Sequence, residues 1–117
     1  MNQYGDILSD LCAGLVGSLG LGAGANIGDQ CSVFEACHGS APDIAGKNIA
    51  NPTSLMLSGA MMLRHMGLQK WGDLVENSVR EVLTEGTCLT RDVGGTASTD
   101  EFTDAVVEKL LEKKKRL

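Results

Sequence analysis

The chain has 117 residues, ten basic against fifteen acidic side chains and a net charge of −5, the size of one compact unit or a piece of one. The negative balance argues against a global electrostatic grip on nucleic acid or on an acidic membrane surface. No window approaches the roughly 20 consecutive apolar residues of a bilayer span, and the stretch from Met1 to Asp6 has no basic region leading into an apolar core, so no signal peptide is expected.

Residues 6 to 18 predict a helix, with Leu8, Leu11, Cys12 and Leu15 at helical spacing and Asp6 and Asp10 on another face. Glycines then crowd at positions 14, 17, 20, 22, 24 and 28, marking a loop, a close packing site, or both. Ser32 to Ala36 is a candidate strand, and His38 to Gly46 reads as an ordered loop. A second helix starts at Asn51, a capping residue type, with Pro52 at the first helical position. It carries Leu55, Met56, Met62, Leu63 and Met66, and Gly67 stops it. A third runs from Trp71 to Glu85 with Leu74, Val75, Val79, Val82 and Leu83 inward, ended by Gly86. Ser98 and Glu101 form a capping box for a last helix that turns Phe102, Val106, Leu110 and Leu111 inward. Lys113 to Arg116 lie at its carboxyl end, where cations are favoured, and read as a solvated terminus rather than a basic patch. One clear strand among these helices leaves its backbone groups without partners, so the chain reads as part of something larger.

Cys12, Cys31, Cys37 and Cys88 show neither zinc-ribbon nor redox-dithiol spacing, so reduced thiols acting as small hydrophobes are expected, in a reducing compartment. Asp6 and Asp10, four residues apart on a helix, project carboxylates from one face. A divalent ion would relieve their repulsion; on spacing alone, an Asp favouring the helix start and an Asp facing water is the preferred alternative. The glycines match neither the dinucleotide fingerprint (position 25 is alanine) nor the phosphate loop (position 41 is alanine). The run His38-Gly39-Ser40-Ala41-Pro42-Asp43 follows a strand and precedes a helix, where α/β proteins bind ligands. Its Asp can accept hydrogen bonds from a ribose 2′-hydroxyl and repels a 2′-phosphate. A satisfied loop histidine, a turn-closing Asp43 and an ordinary cap at Asn51 are the blander readings. His65 reads as a helix-surface residue.

Asn2-Gln3-Tyr4-Gly5-Asp6-Ile7-Leu8-Ser9-Asp10-Leu11, followed by Gly17-Ser18-Leu19-Gly20-Leu21, resembles the signature of the isocitrate/isopropylmalate dehydrogenases, metal-dependent β-decarboxylating enzymes. The run from Phe34 through His38-Gly39-Ser40-Ala41-Pro42-Asp43-Ile44 to Asn51-Pro52 resembles their cofactor loop. The likeness continues through Thr90-Arg91-Asp92 and Phe102-Thr103, and Gly24-Ala25-Asn26-Ile27-Gly28 is similar to the isocitrate-specific branch.

The resemblance implies an α/β chain, the carboxyl-terminal part of the isopropylmalate dehydrogenase-like α/β/α fold, helix-rich and incomplete in isolation. Residues 1–24 would belong to the small domain, its leucines at a dimer contact, and residues 25–117 to the large cofactor-binding domain. Strands beyond this chain would pair with the lone strand. Asp6 and Asp10 would be carboxylates of a Mg²⁺ or Mn²⁺ site, the ion serving as Lewis acid. Glu35 would line the nicotinamide side of an NAD cleft. His38, Gly39, Ala41 and Asn51 would surround the adenine and its ribose, with Asp92 nearby. Asp43 and Ile44 would select the cofactor: phosphorylated-dinucleotide relatives place Lys-Tyr there and an Arg where this chain has Gly95.

The implied reaction is the oxidative decarboxylation of isocitrate to 2-oxoglutarate, a tricarboxylic acid cycle step. The family's substrate-binding Ser/Arg cluster, catalytic Tyr and Lys, and third metal carboxylate have no counterpart in these residues, so no catalytic residue is expected here and no turnover by the chain alone. Isocitrate and a homo- or hetero-oligomeric subunit completing the site are the implied partners, without nucleic acid or membrane. The implied compartment is the mitochondrial matrix in a eukaryote or the cytoplasm in a bacterium. The alternatives are isopropylmalate dehydrogenase and a non-catalytic, nucleotide-binding regulatory subunit.

Overall fold

The computed structural model describes residues 3–17 and 20–115. Met1, Asn2, Ser18, Leu19 and Arg116, used above, lie outside them. Helix α1 spans Gln3–Val16; strands β1 (Ala23–Ile27) and β2 (Ser32–Ala36) form an antiparallel hairpin; helices α2 (Thr53–His65), α3 (Gln69–Glu85) and α4 (Thr99–Lys114) follow. Short 3-10 turns occupy Pro42–Ile44 and Arg91–Val93. This is a helix-rich α/β arrangement with a small two-stranded sheet among the described residues.

The expected lone strand is a correction: β2 has a partner within the chain, and it comes from the glycine-rich stretch. The register pairs Ala23 with Ala36, Ala25 with Phe34 and Ile27 with Ser32. Glycine density reads as loop, yet at Gly24 it serves a close approach. A Cβ there would stand 2.9 Å from Cys37 Sγ and 3.1 Å from the Glu35 carbonyl oxygen. Only the missing side chain lets the two strands and Cys37 pack so tightly.

Helix α2 is fastened to this hairpin by the hydroxyls of two serines. Its buried residues are Thr53, Ser54, Ser58 and Ala60. Ser54 Oγ donates to the Gly22 carbonyl and accepts the Cys37 N–H at 3.3 Å. Ser58 Oγ accepts the Gly24 N–H at 3.3 Å and lies 2.7 Å from the Glu35 carbonyl. Of the apolar residues that the helix carries, Met56 packs against the core and others are exposed. Leu55 is 60% exposed and Met66 62%, with Met62 also exposed.

The hydrophobic core lies one layer further on, where Val79 and Val82 of α3 meet Phe102 and Val106 of α4, with Met56, Leu57, Leu83 and Ala105 packed around them. Burying each such side chain contributes roughly 1.5–3 kcal/mol. Of the predicted inward residues, Leu74, Val79 and Val82 are buried and Val75 and Leu83 half-buried. Leu111 departs from expectation: its side chain is 50% exposed, although Lys113 and Lys114 beyond it still meet Glu81 and Trp71 of α3. Gly72 brings α2 and α3 together, since a Cβ there would stand 2.7 Å from the Ala60 carbonyl oxygen. Arg64 bridges the same helices through Asp73 and Glu76 at 2.7 and 2.5 Å.

The punctuation signals hold with one shift. Gly67 and Gly86 end α2 and α3 at φ of +78° and +68°, and the Ser98–Glu101 capping box is formed in both directions. Pro52 sits one residue earlier than expected, in the capping position rather than the first turn; Asn51 Oδ1 accepts the Thr53 N–H at 3.0 Å from just outside the helix. The four cysteines are free, as expected, but Cys12 and Cys31 are exposed rather than packed as small hydrophobes. Helix α1 packs against no other described element, leaving Leu8, Leu11 and Leu15 exposed.

Candidate functional site

The loop after β2 is held in place from both sides before any ligand is considered. Ala41 adopts a left-handed conformation (φ 43°) that launches the Pro42–Ile44 turn. Asn48 adopts another (φ 54°), a geometry asparagine tolerates. Its side chain grips α4: Nδ2 donates to Asp100 Oδ2 at 2.9 Å, and Oδ1 accepts the Asp100 N–H at 3.2 Å. The Asn48 carbonyl accepts the Thr99 N–H at 3.0 Å, and Thr99 Oγ1 donates to the Ala50 carbonyl at 2.6 Å.

Between this loop, the start of α2 and the start of α4 lies an open cavity of about 940 Å³. His38, Gly39, Ala41, Ile44, Asn51 and Asp92 line it, so the structure gathers six of the eight cofactor candidates. Sequence reasoning missed Asn48, Thr99 and Asp100, which join the lining because they pin the loop to α4. Asn48 lay within the resembling loop; Asp100 carried no signal beyond standing next to a capping box.

Asn51 and Asp92 form the ordered floor. Asn51 Nδ2 donates to Asp92 Oδ2 at 2.9 Å, while Asn51 Oδ1 holds the Thr53 N–H. The amide is therefore oriented by a donor at one end and an acceptor at the other. His38 Nδ1 lies 2.9 Å from the Gly39 carbonyl oxygen, which only accepts, so Nδ1 is the donor in that contact. The lining includes Asp92 and Asp100 and no Lys or Arg.

Two cofactor candidates stand outside the lining. Asp43 is exposed in the turn beside Ile44, and Glu35 is exposed on β2, where its carboxylate accepts from Asn26 Nδ2 at 2.7 Å. Gly95 lines a neighbouring hollow with Leu89 and Ala97 instead.

Asp6 and Asp10 are both exposed on α1. Among the described residues no group of three or more His, Cys, Asp or Glu side chains gathers for a metal ion. As hard oxygen donors the pair fits Mg²⁺ or Mn²⁺ only as part of a larger donor set. His65 is exposed as expected, 3.3 Å from Ser32 Oγ and with its ring centroid 5.4 Å from that of Phe34.

A two-stranded hairpin and helices around an open cavity at a strand-to-helix loop define a helix-rich α/β chain. This chain belongs to the isocitrate/isopropylmalate dehydrogenase family, whose model matches residues 1–106. It is 57% identical over 112 residues to a regulatory subunit of the mitochondrial NAD isocitrate dehydrogenase of Dictyostelium discoideum, covering 95% of this chain and 32% of that protein. It is 54% identical over 110 residues to catalytic subunit 5 of the mitochondrial NAD isocitrate dehydrogenase of Arabidopsis thaliana, covering 93% and 29%. The isocitrate dehydrogenase structure from Methylococcus capsulatus superposes with a TM-score of 0.84 at 51% identity, covering 92% of this chain and 32% of that one. The chain thus spans about a third of the length of these relatives and matches their carboxyl-terminal part.

Proposed function

We propose that this chain is the nucleotide-binding, carboxyl-terminal portion of a subunit of an NAD-linked isocitrate dehydrogenase. The observation that carries the reading is the cavity of His38, Gly39, Ala41, Ile44, Asn51 and Asp92, whose lining holds carboxylates and no cation. Such a wall accepts ribose hydroxyls and repels a 2′-phosphate, so NAD fits and its phosphorylated counterpart does not. In this reading Asp43, exposed beside the lining residue Ile44, extends that negative edge, and Glu35 on β2 would serve the nicotinamide side.

In this reading residues 1–24 belong to a small domain and residues 25–117 to the large one. Isocitrate is held by parts of the assembled protein other than these residues, and a homo- or hetero-oligomeric partner completes the site. Mitochondrial relatives support the mitochondrial matrix as the compartment.

The likeness to a regulatory subunit supports a nucleotide-binding, non-catalytic role, which needs only the cavity and an assembly surface. A specific observation favours the catalytic version: Asp6 and Asp10 stand one turn apart, both exposed on α1. In the catalytic version they supply two carboxylates to a Mg²⁺ or Mn²⁺ ion, which as a Lewis acid stabilises negative charge on substrate oxygen.

Calorimetric titration of the intact protein with NAD and with its 2′-phosphorylated counterpart tests the reading. At least tenfold tighter binding of NAD is expected; equal or reversed affinities overturn it. Turnover of isocitrate against isopropylmalate separates the catalytic version from its isopropylmalate alternative, and turnover of neither by a protein that binds NAD leaves the regulatory role.

A further inference from the structure

Thr90 stands behind the cavity floor and lines no part of the cavity itself. It is fully buried, at the capping position of the Arg91–Val93 turn. A threonine there ordinarily gives its oxygen to a backbone N–H of the following turn. Here the side chain makes no such cap. Its hydroxyl instead donates to Asp92 Oδ1 at 2.6 Å.

The other oxygen of the same carboxylate, Oδ2, accepts from Asn51 Nδ2. The three side chains therefore form a directed chain, Thr90 to Asp92 from behind and Asn51 to Asp92 across the floor. Backbone contacts immobilise its far end: the Thr90 carbonyl accepts the N–H groups of Gly95 at 2.9 Å and Val93 at 3.2 Å. Gly20 closes the near side, since a Cβ there would stand 2.8 Å from Asp92 Oδ2 and 3.4 Å from Asn51 Cβ.

We propose that Thr90 is a positioning residue for the nucleotide site, fixing the plane of the Asp92 carboxylate and through it the Asn51 amide. The inference rests on the nucleotide reading of the cavity. The physical argument is one of donor count. A carboxylate held by a donor on each oxygen has its plane defined; with one donor removed it is free to turn about its terminal torsion. Asn51 then keeps only the Thr53 N–H as a reference. Its remaining N–H and oxygen lone pair no longer meet a ligand in a fixed orientation, and that orientation must be imposed at each binding event.

Thr90→Val, of matching shape and without the hydroxyl, is the test in the intact protein, with Thr90→Ser as the variant that returns the donor. Two readouts are needed: calorimetric affinity for NAD and for adenosine monophosphate, and the Asn51 side-chain amide resonances by NMR without ligand. Thr90→Val is expected to weaken both ligands by about three- to tenfold and to shift or broaden the Asn51 amide signals. Thr90→Ser is expected to restore both. In an active assembly the same change raises KM for NAD and leaves kcat in place. Unaltered Asn51 signals in Thr90→Val overturn the positioning role whatever the ligand. So does a serine variant as weak as the valine variant while its unfolding midpoint matches the parent. A parent protein that binds neither ligand while Thr90→Val disturbs Asn51 leaves the positioning geometry standing and overturns the nucleotide reading.

Discussion

Ser58 Oγ lies 2.7 Å from the carbonyl oxygen of Glu35, so a helix hydroxyl reaches the backbone of a strand 23 residues away. Its own helix offers a competing acceptor, the Ser54 carbonyl at 2.9 Å, and the Gly24 N–H arrives on the same oxygen at 3.3 Å. With Ser54 bonded to Gly22 and Cys37, two serines one turn apart fasten α2 to both strands. The hairpin that carries the loop into the cavity is thus docked by polar contacts, which are strong only while each is satisfied.

Replacing Ser58 by Ala removes the hydroxyl that serves Gly24 N–H and the Glu35 carbonyl, at an expected cost of about 1–3 kcal/mol. Chemical denaturation of the intact protein checks it. The Ser54→Ala, Ser58→Ala pair is expected to cost less than the sum of the singles, because each leaves the other's strand partly undocked.

Phe102 is fully buried at the centre of the α3–α4 core. Phe102→Ala is expected to cost about 3–5 kcal/mol, whereas Leu111→Ala, at a half-exposed position, is expected to cost well under 1 kcal/mol in this unit. Paired denaturation curves separate the two.

Glu101 is held below the ordinary carboxylate value by the Ser98 N–H and then by the Ser98 hydroxyl. Glu76 is likewise held low, by hydrogen bonds from Arg80 and Arg64. A folded-state pKa below the unfolded one means these carboxylates contribute stability above about pH 4.3, lost as pH falls through the folded values. The unfolding midpoint is therefore expected to drop on acidification below about pH 4.5. Glu101→Gln keeps a capping-box side chain without the charge, and is expected to flatten that acid limb in a pH series of melting curves.

Asp43 is exposed beside Ile44, which lines the cavity, so Asp43→Lys with Ile44→Tyr is expected to raise affinity for the 2′-phosphorylated dinucleotide about tenfold or more, an effect that weakens with added salt. Adding Gly95→Arg is expected to fail as a further gain. A Cβ at Gly95 would stand 1.9 Å from the Leu89 carbonyl oxygen, so that segment must move to admit any side chain. Binding titrations and melting midpoints on the single, double and triple variants check both halves.

In the catalytic version of the proposed function, Asp6→Asn or Asp10→Asn is expected to weaken Mn²⁺ binding at least tenfold. NAD affinity stays unchanged, because neither residue lines the cavity. Electron paramagnetic resonance titration of Mn²⁺ reads this directly; full Mn²⁺ affinity in both variants removes the metal role.

Helix limits were legible because they follow from local chemistry. Gly86 with its positive φ and the Ser98–Glu101 box act within one turn of themselves. The orientation of α2 was not legible. Its sequence shows only its apolar content, Leu55, Met56, Met62, Leu63 and Met66, of which Met56 reaches the core, while Ser54 and Ser58 find backbone partners on a hairpin that periodicity does not reveal. Nor was β1, since glycine content masks a strand wherever its purpose is close approach. For the cavity, the His38–Asp43 run and Asn51 were visible as residue types in one loop. Asp100 was not, because its place depends on Asn48, 52 positions away, and Thr90, visible in the resembling Thr90-Arg91-Asp92 run, gave no sign of its burial.

By itself the sequence determined the family, the helix stops and caps, the negative charge and the loop that carries the nucleotide candidates, each a property of neighbouring residues or of a contiguous motif. Only the tertiary structure decided that Asn51 meets Asp92 across 41 positions, that Asn48 clamps the loop to α4, and that Gly95 lines a neighbouring hollow rather than the cavity. Those relationships arise when folding closes long loops and brings specific donors to specific acceptors, a matter of packing geometry that residue order alone does not encode.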